Sequence, residues 1–167
     1  KPRDEMVFDF KSLSGAPLPC VLIPGQETVY SVALAALPGE ALRVTYEKFG
    51  ARLLEANVRS FLSSTNKVNR GIRDSLRTSP EHFMAFNNGV VMIADEAGYE
   101  ATADGGSGIA WLRGVQIVNG GQTTASIYFT KKKATDTDLR SVRVPAKIII
   151  LGAGAEDSEA ARETLVS

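Results

Sequence analysis

Residues 116–127 read QIVNGGQTTASI, and no other stretch of the chain restricts its fold as tightly. An apolar run (Val115, Ile117, Val118) enters Asn119, Gly120 and Gly121; Gln122, Thr123 and Thr124 follow, and Ala125, Ile127 and Phe129 continue as a helix. The pattern predicts a strand, a tight glycine turn and a helix start within a dozen residues. Such a junction points free backbone N–H groups at one spot. Two glycines let a ligand approach the main chain closely, and Gln122, Thr123 and Thr124 add side-chain donors and acceptors. A phosphate, a nucleotide or a nucleic-acid backbone is a natural guest. The same residues also suit an ordinary strand-to-helix connection, with Thr123 or Thr124 as a plain N-cap.

A second polar cluster lies some thirty residues earlier. In FNNGVVMI (86–93), Asn87 and Asn88 precede Gly89 and a β-branched apolar run. Asn-Gly is a strong turn signal, so a hairpin or strand-entry turn explains it. The alternative is that the paired amides read a ligand, since each offers two donors and an acceptor suited to a base edge or a ribose.

Between these clusters and the N-terminal part runs a basic region. Arg52, Arg59, Lys67, Arg70, Arg73 and Arg77 stand against only Glu55 and Asp74. From Asn66 the pattern is helical, with Val68, Ile72 and Leu76 forming one buried stripe. Lys67, Arg70, Arg73 and Arg77 fall on its other faces, either as a solvated charged surface or as contacts to phosphate. Arg59, in EANVRSFL, is flanked by apolar residues; we expect it to be partly buried, paired and able to hold an anion.

Charge balances, with 19 basic and 19 acidic residues, so composition alone does not announce a nucleic-acid partner. No segment is long enough to span a membrane and none has a signal-peptide pattern. Cys20 is the single cysteine, which rules out an intramolecular disulfide and fits a cytoplasmic setting. With one His and one Cys far apart, the chain cannot build a zinc site from these types alone. His82 is expected in a helix-surface or packing role. The chain starts at Lys1 without an initiator Met and stops at Ser167 within a helical pattern, so we expect a piece of a longer protein.

The expected fold class is α/β (or α+β): a mixed sheet flanked by helices, with a strand–glycine turn–helix crossover in the C-terminal half. Strands are predicted over 5–10, 20–24, 28–36, 89–95, 110–118 and 142–151. Helices are predicted over 38–49, from 66 to about 77, over 122–132, and from Asp157 or Ser158 onward. Leu53 and Leu54 are expected in a short extended piece. The order over 110–167 implies a βαβ unit with parallel pairing. We expect one domain across 1–167, with a β-rich part over about 1–50 and a motif-bearing core over about 51–151.

LLEANVRSFL (53–62), VNRGIRDSL (68–76), FNNG (86–89) and QIVNGGQTTASI (116–127), in this order and spacing, resemble the AIPR family, the abortive infection phage resistance proteins of bacteria. The resemblance implies an anti-phage defence protein. Members are usually longer and continue past the final strand into another Asn/Gln-rich segment. More distantly, VNGGQTT resembles the nucleotide-binding turn of ParB-like domains, where Asn119, Gly120, Gly121 and Gln122 would take the phosphate-binding places. Here Asn119 stands where an acidic residue is expected, and Thr123 or Thr124 where an arginine is expected.

These readings leave three functions open. The first is a cleft of Asn87, Asn88, Gly89, Asn119, Gly120, Gly121, Gln122, Thr123 and Thr124, with Arg59, Asn66, Lys67, Asn69 and Arg70, that binds nucleic acid or a nucleotide, with or without magnesium. The second is a metal-dependent nuclease or nucleotide hydrolase, for which Glu55 and Asp74 are the first carboxylates to consider, followed by Glu81, Asp95 and Glu96. The third is an interaction module for partner proteins of a restriction-type defence system.

Overall fold

A computed structural model of the chain describes residues 6–23, 30–63, 68–152 and 155–166. The N-terminal part runs β1 (Val7–Asp9), α1 (Phe10–Ser14), β2 (Leu18–Ile23), β3 (Ser31–Pro38) and α2 (Gly39–Phe49). A 3-10 turn at Gly50–Leu53 leads to α3 (Ala56–Ser63), α4 (Arg70–Thr78) and α5 (Phe83–Phe86). The remainder is β4 (Val90–Ala94), β5 (Glu96–Tyr99), β6 (Gly108–Arg113), β7 (Gln116–Asn119), α6 (Gly121–Lys133), β8 (Arg143–Ile150) and α7 (Ala155–Val166). The fold is a curled mixed α/β sheet flanked by helices, and one sheet takes strands from both parts of the chain.

The pairings close on themselves. β4 and β5 form one arm of a long antiparallel hairpin and β6 and β7 the other, bending together where Asp95 lies opposite Gly114. β6 also pairs with β2, β2 with β3, β3 with β8, and β8 returns to β4. Five arms in a ring cannot all alternate in direction, so one neighbouring pair must be parallel. That pair is β4 and β8. The expected parallel pairing is therefore present, but not between the strands that flank α6. β7 and β8 lie on opposite sides of β4 and run antiparallel to each other. The predicted strand over 110–118 is two strands, because Gly114 (φ 73°) breaks it.

Side-chain alternation follows the pleat. Val90, Met92 and Ala94 of β4 and Val144, Ala146, Ile148 and Ile150 of β8 enter the main core with Leu42, Leu53, Leu54, Ala125 and Ile127. On the opposite face Ile93, Ile149 and Leu151 form a second cluster beneath Leu165 and Val166 of α7. Beyond it, Val21 and Leu34, paired across strands, stay exposed.

Local caps explain several boundaries. Asp9 accepts from the Ser12 amide at 3.2 Å, ending β1 and starting α1. Gly50 (φ 63°) stops α2 as its position implies; of the expected extended piece at Leu53 and Leu54, Leu53 closes the 3-10 turn while Leu54 is extended, in a parallel bridge with Ile117. The last helix starts at Ala155, two or three residues before the expected Asp157 or Ser158. The expected Pro24-Gly25 turn, the start of the strand over 28–36, Asn66 and Lys67 lie outside the described residues.

Candidate functional site

The loop before β4 and the junction between β7 and α6 meet in one cleft of about 580 Å³. Asn87, Asn88 and Gly89 line one side, and Asn119, Gly120, Gly121, Gln122 and Thr123 the other. α3 forms a wall through Asn57, Val58, Phe61 and Leu62; Ile72 of α4 and Phe86 of α5 complete it with Val118. The volume falls within the ~300–1,000 Å³ typical of small-molecule sites.

Backbone contact explains the glycines. Gly89 (φ 88°) faces the Pro145 carbonyl, and Gly120 (φ 93°) faces the Gly89 carbonyl and Val90, so neither position has room for a Cβ. Gly121 accommodates Val58, which lets α3 lie against the first turn of α6. Gly120 precedes α6 without a side-chain cap. The amides of Gly121, Gln122 and Thr123 belong to the first turn, where helices lack internal acceptors, and they border the cleft with the positive end of the helix dipole.

Some side chains expected to meet a ligand serve the scaffold. Asn87 Oδ1 accepts from the Gly89 amide at 2.7 Å and from Thr123 Oγ1 at 3.1 Å, which ties the two loops together. Thr124 is fully buried and donates to the Gly120 carbonyl at 3.1 Å. Asn69 Oδ1 accepts from the Ile72 amide at 3.0 Å as the N-cap of α4, while its own amide donates to Ser126 Oγ at 2.9 Å. An Asn69→Ala chain should lose about 1 kcal/mol of stability, measured by urea denaturation, from the missing cap. Asn57, Asn88, Asn119 and Gln122 differ from these: they line the cleft, and their side chains make no hydrogen bond among the described residues.

Charge is arranged differently from the sequence expectation. None of the described residues lining the cleft is charged. Arg59 is exposed rather than partly buried, and its Nη2 donates to the Leu54 carbonyl at 3.1 Å. It lines a separate groove on the far side of α3 with Glu55, Gln116 and Arg162. The flanking apolar residues misled because Val58 and Leu62 share one helix face and Arg59 lies 100° away. Arg70 is exposed at the start of α4 and does not line the cleft.

The carboxylates do not converge either. Glu55 Oε1 accepts from the Asn57 amide at 2.9 Å and caps α3. Asp74 is exposed, 3.4 Å from Arg73. Glu81 lies beside His82, Glu96 beside Arg113, and Asp95 pairs with Arg162. No group of three His, Cys, Asp or Glu among the described residues could hold a metal ion. Burial raises the Cys20 thiol above its ordinary pKa, which disfavours a thiolate there.

Sequence reasoning missed Asn57, Phe61 and Phe86. Asn57 and Phe61 are four residues apart on α3, a spacing that places them on one face beside Val58 and Leu62. Phe61 is 58% exposed and Phe86 66% exposed, high values for aromatic side chains. The His82 ring meets Phe86 in a T-shaped contact at 6.4 Å, so the lone histidine props a cleft residue.

Residues 54–166 match the family described as AIPR protein, and the chain belongs to that family. Membership points to a role in abortive-infection defence against phage. Searches of curated proteins and of solved structures return no match. Among the described residues no helix is long and apolar enough to cross a membrane.

Proposed function

We propose that this AIPR-family chain acts in phage defence by binding nucleic acid or a nucleotide in the amide-lined cleft. One observation supports the reading: Asn88 and Gln122, from loops over thirty residues apart, line the same cavity with Asn57 and Asn119, and the side chains of the four make no hydrogen bond among the described residues. Exposed amides with unspent donors and acceptors suit the edges of a base or a sugar. Because amides do not titrate, the cleft suits recognition better than acid–base chemistry. Glu55 and Asp74 lie off the cleft, so among the described residues the hydrolase alternative has no carboxylate there to use.

The test is a thermal-shift screen of nucleotides and short oligonucleotides, with and without magnesium. A ligand at about a hundredfold its Kd adds about 2.7 kcal/mol, a rise of about 5–10 °C for a chain of this length. Asn88→Ala and Gln122→Ala should each weaken binding about five- to tenfold through one lost hydrogen bond. Lys132→Ala, at the other end of α6, should leave it unchanged. If both amide variants bind like the parent, the cleft is not the site.

A further inference from the structure

We infer that the cleft recognises an unpaired nucleobase, through its ring face and its hydrogen-bonding edge, and offers the phosphates no charged side chain among the described residues. This rests on the proposed function and adds to it which part of the ligand is bound.

Three observations carry it. No described residue lining the cleft is charged, so no described side chain there neutralises a phosphate. Two large rings, Phe61 and Phe86, line it from different helices while more than half exposed. Burial of such rings normally stabilises a fold, so their exposure at a cavity is informative. Third, Asn57, Asn88, Asn119 and Gln122 supply both donors and acceptors. Aromatic faces together with amide edges match how single-stranded nucleic acid is read: the base stacks on the ring, and its Watson–Crick edge meets the amides. A paired base has already spent that edge on its complement, so a duplex presents nothing equivalent.

The shared chemistry is the base, whether carried by a free nucleotide or by a single strand, and the experiment separates these sources. Fluorescence anisotropy would follow a labelled single-stranded 10-mer, with the same sequence in a duplex as comparison. Nucleosides, nucleoside triphosphates and inorganic phosphate would serve as competitors. The single strand should bind and the duplex should not. A nucleoside should compete as well as its triphosphate if the guest is a free base unit, and only oligonucleotides should compete if a strand is required. Inorganic phosphate should not compete in either case.

Raising salt from about 50 to about 200 mM should change affinity less than twofold, whereas three phosphate contacts would cost about twentyfold. Phe61→Ala and Phe86→Ala should each weaken binding about tenfold or more. Both side chains are exposed, so unchanged circular dichroism and melting temperature would show that these variants fold. Binding to no nucleic-acid component sinks the proposed function itself. Equal binding to duplex, competition by phosphate, or a twentyfold salt effect leaves that function standing and overturns the base-centred recognition.

Discussion

A Gly89→Ala chain is expected to lose about 2–5 kcal/mol of folding free energy, a large share of the stability of an ordinary domain. Two costs add. Position 89 has φ 88°, in the left-handed region, where an L-residue is strained by about 1–2 kcal/mol. The new methyl would also run into the carbonyl of Pro145 on the neighbouring strand β8. Backbone cannot rotate aside as a flexible side chain does, so relief requires β4 to move off β8 where Val90 pairs with Ala146. Overpacking of this kind costs about 1–3 kcal/mol more. Gly105 supplies the control: its φ of 87° is nearly the same, but nothing lies within 4 Å of a Cβ there. Gly105→Ala should therefore cost only the backbone strain of about 1–2 kcal/mol. The difference between the two, read from urea midpoints, isolates the steric contribution. Equal losses in the two variants would mean that the approach of β8 to Gly89 is not tight. Gly89→Ala should also abolish ligand binding, because Asn88 sits on the segment that must shift.

Gly89 shows why part of the site was legible in the sequence. Asn-Gly before an apolar run and Asn-Gly-Gly after one are local signals, and each turn formed where its residues predict. Their meeting is not local. It follows from β4 and β7 being neighbours in the sheet, joined through the bend at Asp95 and Gly114. Period-two patterns do not specify which strands pair. The sequence order of β7, α6 and β8 pointed to direct parallel neighbours, but β4 lies between them. The threonines illustrate another limit. Thr123 and Thr124 read as available donors, but the first turn of α6 buries both, one on Asn87 and one on the Gly120 carbonyl.

The buried arginine was expected at position 59 and is found at 162. A charged side chain needs several fixed partners before burial is tolerable, and apolar neighbours in sequence do not provide them. Arg162 has them: it is 4% exposed, and Nε and Nη2 donate to Asp95 Oδ1 at 3.3 and 3.0 Å. Nη1 donates to Gln116 Oε1 at 2.8 Å, and Nη2 also reaches the Gly114 carbonyl. The readable signal was its spacing from Leu165 and Val166, three and four residues on, which places all three on one face of α7.

Truncating that arginine has the second large expected effect. Arg162→Ala removes donors from three acceptors clustered at the bend of the hairpin, and loss of one member of a buried ion pair costs about 3–5 kcal/mol. It also removes a polar anchor of α7, whose Leu165 and Val166 still pack over Ile93, Ile149 and Leu151. Hydrogen exchange should therefore rise first along α7 and across the Asp95–Gly114 bend, with β3 and β8 still protected in the partly opened state. Arg162→Lys should recover less than half of the loss, because one ammonium cannot span acceptors on Asp95, Gly114 and Gln116 as a planar guanidinium fork does. If Arg162→Ala costs under about 1 kcal/mol, or if α7 stays as protected as in the parent chain, the guanidinium is not what fastens the helix to the bend. The cleft lies on the other side of α3 from this anchor, so an Arg162→Lys chain that remains folded should still bind its ligand. Stability and recognition would then separate experimentally along the line that divides the two grooves.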